Sequence, residues 1–262
     1  MAILFTYFFK LYTSFPFVVE KRTAFCYNEL KIGVIKLKNG KMTELLKVFA
    51  IFIIYLIYNS AFQAIFTALN IHNGIITMFT GDVLFLIGII ALYYKDLKAS
   101  LENLDQSKRK FIGKVAIGVI LLFAVNMVVG IIGEMLVPSN TISDDNTTSI
   151  YTLSQISFAY TLFKTMVFGV IAEELLFKQS LRKVIPNNVL FVISSSFIYA
   201  VMNVIYGDLN SPYLLTDTLS YFAVSAALGT MYIKNHDNIV LVMFIKFFYN
   251  LIPMCIMIAG MF

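Results

Sequence analysis

The chain has 262 residues, of which 59% are hydrophobic and only 13% charged, with a net charge of +5 and a mean hydropathy of +0.82. Soluble domains carry about 25% charged residues, so this composition excludes an ordinary soluble fold. The positive charge is no nucleic-acid footprint either, because the Lys and Arg residues stand beside apolar runs, where membrane topology wants them. The fold class expected is all-α: a polytopic transmembrane helical bundle of about seven spans.

Residues 1–20 are apolar but interrupted by Lys10 and Pro16. They lack the basic start and small-residue cleavage site of a signal peptide. Lys21, Arg22, Lys31, Lys36, Lys38, Lys41 and Lys47 follow. Residues 1–45 therefore read as a basic, cytoplasmic juxtamembrane segment, and 46–262 as the membrane domain. Spans are expected at about 46–69, 75–93, 112–136, 154–177, 188–206, 213–233 and 239–260. The fourth continues as helix to Lys183, Pro186 and Asn187 turn the chain, and Pro253 interrupts the last span. Loops on one side hold Lys95, Lys98, Lys108, Arg109, Lys110 and Lys114, then Lys234; those on the other, VPSNTISDDNTTSI and GDLNSP, hold no Lys or Arg. That asymmetry predicts a cytoplasmic N-terminus. Asn146-Thr147-Thr148 matches a glycosylation sequon. Cys26 and Cys255 have no metal-ligand spacing, and His72 and His236 fall in loops. No cofactor is implied.

The segment MVFGVIAEELLFKQSLRK, Met166 to Lys183, places two adjacent carboxylates, Glu173 and Glu174, inside a span. A charge at the bilayer centre costs about 2.5 kcal/mol or more and marks a candidate site. Lys178 stands four residues after Glu174, on the same α-helical face and able to pair with it. The same span carries Lys164, expected to snorkel toward the interface. The fifth span offers Tyr199 and Asn203, and the seventh Lys246 and Asn250, each pair at i and i+4. At 1.5 Å of rise per residue, Glu173 lies about 16 Å, Lys246 about 12 Å, Asn250 about 18 Å and Asn203 about 24 Å from the inner ends of their helices. A lone Asn in a span is ordinarily a helix–helix hydrogen bond. Polar groups from three spans at one depth should instead face each other or a wet cavity.

The order of these residues resembles the CAAX protease and bacteriocin-processing (CPBP, or Abi) family of membrane proteins. That family reads Glu-Glu-x-x-x-Arg on one span, Phe-x-x-x-His on the next and His-x-x-x-Asn on a later one. This chain reads Glu173-Glu174-x-x-x-Lys178, Tyr199-x-x-x-Asn203 within SSSFIYAVMN, and Lys246-x-x-x-Asn250. The resemblance covers about 150–260. It implies a glutamate and a histidine that activate water for peptide hydrolysis, and a histidine and an asparagine that form an oxyanion site. Carried over, Glu173 keeps the base position and Asn250 half of the oxyanion site. Lys178 replaces Arg and lacks its planar fork, and Asn203 and Lys246 replace both histidines. An amide cannot trade protons near neutral pH, and losing one positioned acid–base group costs about 100- to 10,000-fold in rate. The metal dependence once inferred for the family would need those same histidines.

The function expected is thus a degenerate family member, a pseudoprotease in a bacterial cell membrane that binds or regulates lipidated or membrane peptides. Peptide-toxin (bacteriocin) immunity is one setting the family suggests. The alternative is an active intramembrane glutamic-type endopeptidase. A third reading, a small transporter, lacks the inverted repeat with broken helices. The expected partners are membrane lipids and a membrane protein or lipidated peptide, with no nucleic acid. Lys246 is expected to pair with Glu173 or Glu174 and close the water site.

Overall fold

In the computed structural model the described residues are 39–104, 108–136, 156–205 and 214–259. The basic segment before Asn39, the sequon at Asn146 and the GDLNSP loop lie outside them. Seven helices account for nearly all the described residues. They are α1 (Asn39–Ala68), α2 (Gly74–Glu102), α3 (Lys108–Leu136), a composite α4 (158–184), α5 (Asn188–Val204), α6 (Leu214–Lys234) and α7 (Ile239–Ala259). Four of them, α1, α2, α3 and α7, are long and apolar enough to cross a membrane. The chain is a polytopic helical membrane protein.

Local chemistry sets the starts. Asn73, Ser157 and Asn187 each adopt extended backbone, and their side chains accept from the backbone N–H three residues on. Asn238 does the same for Leu241. Each such cap satisfies an otherwise orphaned donor. The second helix runs to Glu102, past the hydrophobic stretch, and its backbone leaves helical geometry at Tyr93. Beyond that point Asp96 accepts from Lys183 Nζ at 2.6 Å, tying the end of α2 to the end of α4.

The fourth helix is the centre of the bundle. Its Phe168, Leu175 and Leu176 are fully buried, while most of the large side chains of α1 and α3 face outward. Such outward faces are ordinary where the surroundings are acyl chains, and association then rests on close packing and interhelical hydrogen bonds. The fifth helix packs chiefly on α6, and α6 on α3. Gly118 of α3 shows how tight this packing is. A Cβ there would stand 2.6 Å from Ile245 Cδ1 of α7, next to Lys246. Gly118→Val is expected to lower stability by about 1–3 kcal/mol through overpacking, read as a fall in the unfolding midpoint in detergent.

Candidate functional site

The fourth helix is not wound uniformly. It passes from α (Phe158–Leu162) to π (Phe163–Phe168), α (Gly169–Glu174), π (Leu175–Ser180) and α again (Leu181–Val184). π turns are often found at functional sites. Here two of them bracket the six residues that end in Glu173 and Glu174. Gly169 stands at the first junction. Its N–H donates to the carbonyl of Lys164, and an added Cβ would come within 3.2 Å of that oxygen. A larger residue would press on the wide turn.

Lys246 of α7 reaches across to both carboxylates. Its Nζ donates to Glu174 Oε1 at 2.8 Å, to Glu173 Oε2 at 3.1 Å and to the Tyr199 hydroxyl at 3.4 Å. The Tyr199 hydroxyl in turn donates to Glu173 Oε2 at 3.3 Å. The ammonium lies 4.9 Å from the Tyr199 ring centroid, a cation–π distance. The side chains of Lys246 and Glu174 are 7% and 3% exposed, and that of Glu173 is 15%. Glu174 Oε2 is fully buried and has no hydrogen-bond partner among the described residues.

Three expected contacts take a different form. Lys178 makes no ion pair with Glu174, because Leu175–Ser180 is π-wound and the i, i+4 positions no longer stack as on an α-helix. Its Nζ donates to Ser225 Oγ of α6 instead and lies 5.8 Å from the Tyr199 ring. Asn203 does not join the ion pair either. Its Nδ2 donates to the carbonyl of Tyr199, one turn back on its own helix, at 2.8 Å. Asn250 Nδ2 donates at 3.1 Å to the carbonyl of Thr165, inside the first π turn. A carbonyl only accepts, so the orientation of both amides is fixed: nitrogen toward the backbone, Oδ1 away from it.

Glu173, Glu174, Lys178 and Lys246 carry two negative and two positive formal charges, so the buried set is neutral. Tyr55 of α1 also belongs to the site, with its hydroxyl within electrostatic reach of Glu173 and Lys246. A tyrosine in an aromatic-rich span carries no sequence signal for this role. Among the described residues no group of three His, Cys, Asp or Glu side chains could hold a metal ion. The pair of glutamates, with an ammonium bonded to both, does not fit one.

A second buried cluster lies toward the Phe158 end of α4. Asp82 of α2 is completely buried. It receives Lys164 Nζ on both oxygens at 2.9 Å, the Tyr58 hydroxyl at 2.5 Å and the Tyr160 hydroxyl at 2.9 Å. Lys164 Nζ also sits 4.0 Å from the Phe168 ring centroid. Lys164 thus turns inward to a partner rather than outward to the interface. Asp82 itself is an isolated intramembrane acid, which the membrane cost of a charge could have flagged.

The model of the family described as type II CAAX prenyl endopeptidase Rce1-like matches residues 155–252. That range holds all six motif positions, Glu173, Glu174, Lys178, Asn203, Lys246 and Asn250, and excludes α1, α2 and the Asp82 side of the second cluster. Neither the curated proteins nor the solved structures searched give a match. The fold, the order of the three motifs and this match agree: the chain is an integral membrane protein that carries, over residues 155–252, an Rce1-like domain of the CPBP family of CAAX endopeptidases.

Proposed function

We propose that this protein is a catalytically silent member of that family, which holds membrane-embedded or lipidated peptides without cleaving them. The observation that carries this is the Lys246 ammonium bonded to both glutamates. A glutamate base needs a free oxygen beside a water and a second group to pass the proton on. Here Glu173 Oε2 accepts from Lys246 and Tyr199, and the position one turn from Tyr199 is an amide. The oxyanion position is altered in the same sense. Asn250 turns its donor to a backbone carbonyl, whereas an oxyanion site needs donors aimed at the reacting oxygen. The asymmetry of Lys and Arg between loops supports a cytoplasmic N-terminus and a cell-membrane location.

Cleavage assays in proteoliposomes test the reading. Farnesylated CAAX-type peptides and unlipidated membrane peptides would be followed by mass spectrometry, with wild type beside Glu173→Ala. Product at background in both is the expected result. Wild-type hydrolysis that disappears in Glu173→Ala would establish the endopeptidase reading instead.

A further inference from the structure

The site has more acceptors than donors, and this has a chemical meaning. Asn203 and Asn250 both turn their nitrogens to backbone carbonyls. Their Oδ1 atoms receive no donor among the described residues, nor does Glu173 Oε1. All three side chains are half-buried rather than sealed. Asn203 stands one turn beyond Tyr199 on α5, and Asn250 one turn beyond Lys246 on α7, both toward the Phe158 end of α4. Tyr199 and Lys246 converge on Glu173. The residues one turn further therefore form, with Glu173 Oε1, a tier of oxygen acceptors above the ion pair. Beneath it, Glu174 Oε2 adds an unpartnered, fully buried acceptor.

The geometry points to a binding site for a primary ammonium group, presented by a lysine in the middle of a partner's transmembrane segment. The polarity is opposite to that of an oxyanion site: three oxygens face one donor-rich cation. The protein's own Lys246 shows how such a group sits here, with its Nζ on two carboxylate oxygens and a hydroxyl. Depth selects the source of the ammonium. Glu173 lies eleven residues from the Val184 end of α4 and fifteen from the Phe158 end, about 16 and 22 Å. A lipid headgroup belongs at the interface of a core about 30 Å thick, whereas a mid-span lysine of a neighbouring helix is already at this depth. Such a lysine is costly in lipid and gains from a site of this kind. The inference rests on the reading of the protein as a binder of membrane peptides.

The test uses the full chain in phosphatidylcholine nanodiscs and a labelled Leu-Ala host peptide of roughly 22 residues. The central residue of the peptide is Lys, norleucine or Glu, and binding is measured by energy transfer. The Lys peptide is expected to bind about tenfold more tightly than the norleucine peptide, with the Glu peptide weakest. Asn203→Leu and Glu173→Gln are each expected to shrink the Lys preference. Equal binding of the Lys and norleucine peptides to the wild type would overturn the inference, whatever the variants do. So would loss of the preference when phosphatidylethanolamine is added, because the lipid would then be the occupant. Mass spectrometry of the bound peptide separates the two ideas. A cut peptide with the Lys preference intact removes the silent reading alone, and an intact peptide with no preference removes the ammonium site alone.

Discussion

Replacing Lys246 with Met is expected to destabilise the protein by about 3–5 kcal/mol, the range found when one partner of a buried ion pair is removed. The reason is the state left behind. Glu173 and Glu174 would face each other across a site 15% and 3% exposed, with only the Tyr199 hydroxyl as a donor and Lys178 engaged with Ser225. Two like charges at such range cannot both persist cheaply in a weakly screened interior. Restoring neutrality is expected to restore stability: the triple variant Glu173→Gln, Glu174→Gln, Lys246→Met should recover most of the loss. The measurement is the unfolding midpoint of purified protein in one detergent. A Lys246→Met midpoint equal to wild type would mean that the ammonium is not a buried partner of the glutamates.

Asp82→Ala is expected to cost a similar amount, again about 3–5 kcal/mol. This change strands the Lys164 ammonium and two tyrosine hydroxyls at once. The fully satisfied Asp82 network joins α1, α2 and α4, and networks of this kind fix a single arrangement of the helices that share them. Its loss should therefore be felt beyond the residue itself. Tyr58 stacks on Phe85 at 5.1 Å and on Phe168 at 6.3 Å, and one turn away Tyr55 packs on Phe177, which in turn meets Tyr199. Asp82→Ala is expected to increase protease nicking of α1 in nanodiscs, while Asp82→Asn, which keeps acceptors for the hydroxyls, should fall between. Unchanged stability and nicking in Asp82→Ala would show that the cluster does not hold α1 and α2.

The seven helices are legible in the sequence because a run of apolar residues long enough for a bilayer has few other fates. Hydropathy marks the membrane rather than the helix end, however. Lys95, Asp96 and Lys98 end the apolar stretch of α2 while the helix itself continues to Glu102. The meeting of Lys246 with Glu173 and Glu174 is also legible, because depth could be counted along each helix and lipid leaves such groups few partners. The fate of Lys178, Asn203 and Asn250 is not. Which way a side chain turns there depends on π winding in α4 and on which backbone carbonyl is within reach, and neither leaves a periodic trace. Asp82 was overlooked for a related reason. A single acid says nothing of Tyr58, Tyr160 and Lys164, which come from two other helices.

The uneven winding of α4 carries one more consequence. Each wide turn accommodates one residue beyond what a regular coil would hold over the same length. Excising a single residue from Phe163–Phe168 would let the coil close up and swing everything after it by about 100° about the axis, carrying both carboxylates off toward the acyl chains. No exchange of one amino acid for another could re-aim them so completely. At this place the molecule behaves as a dial with two notches, and its setting is determined by residue number rather than residue type.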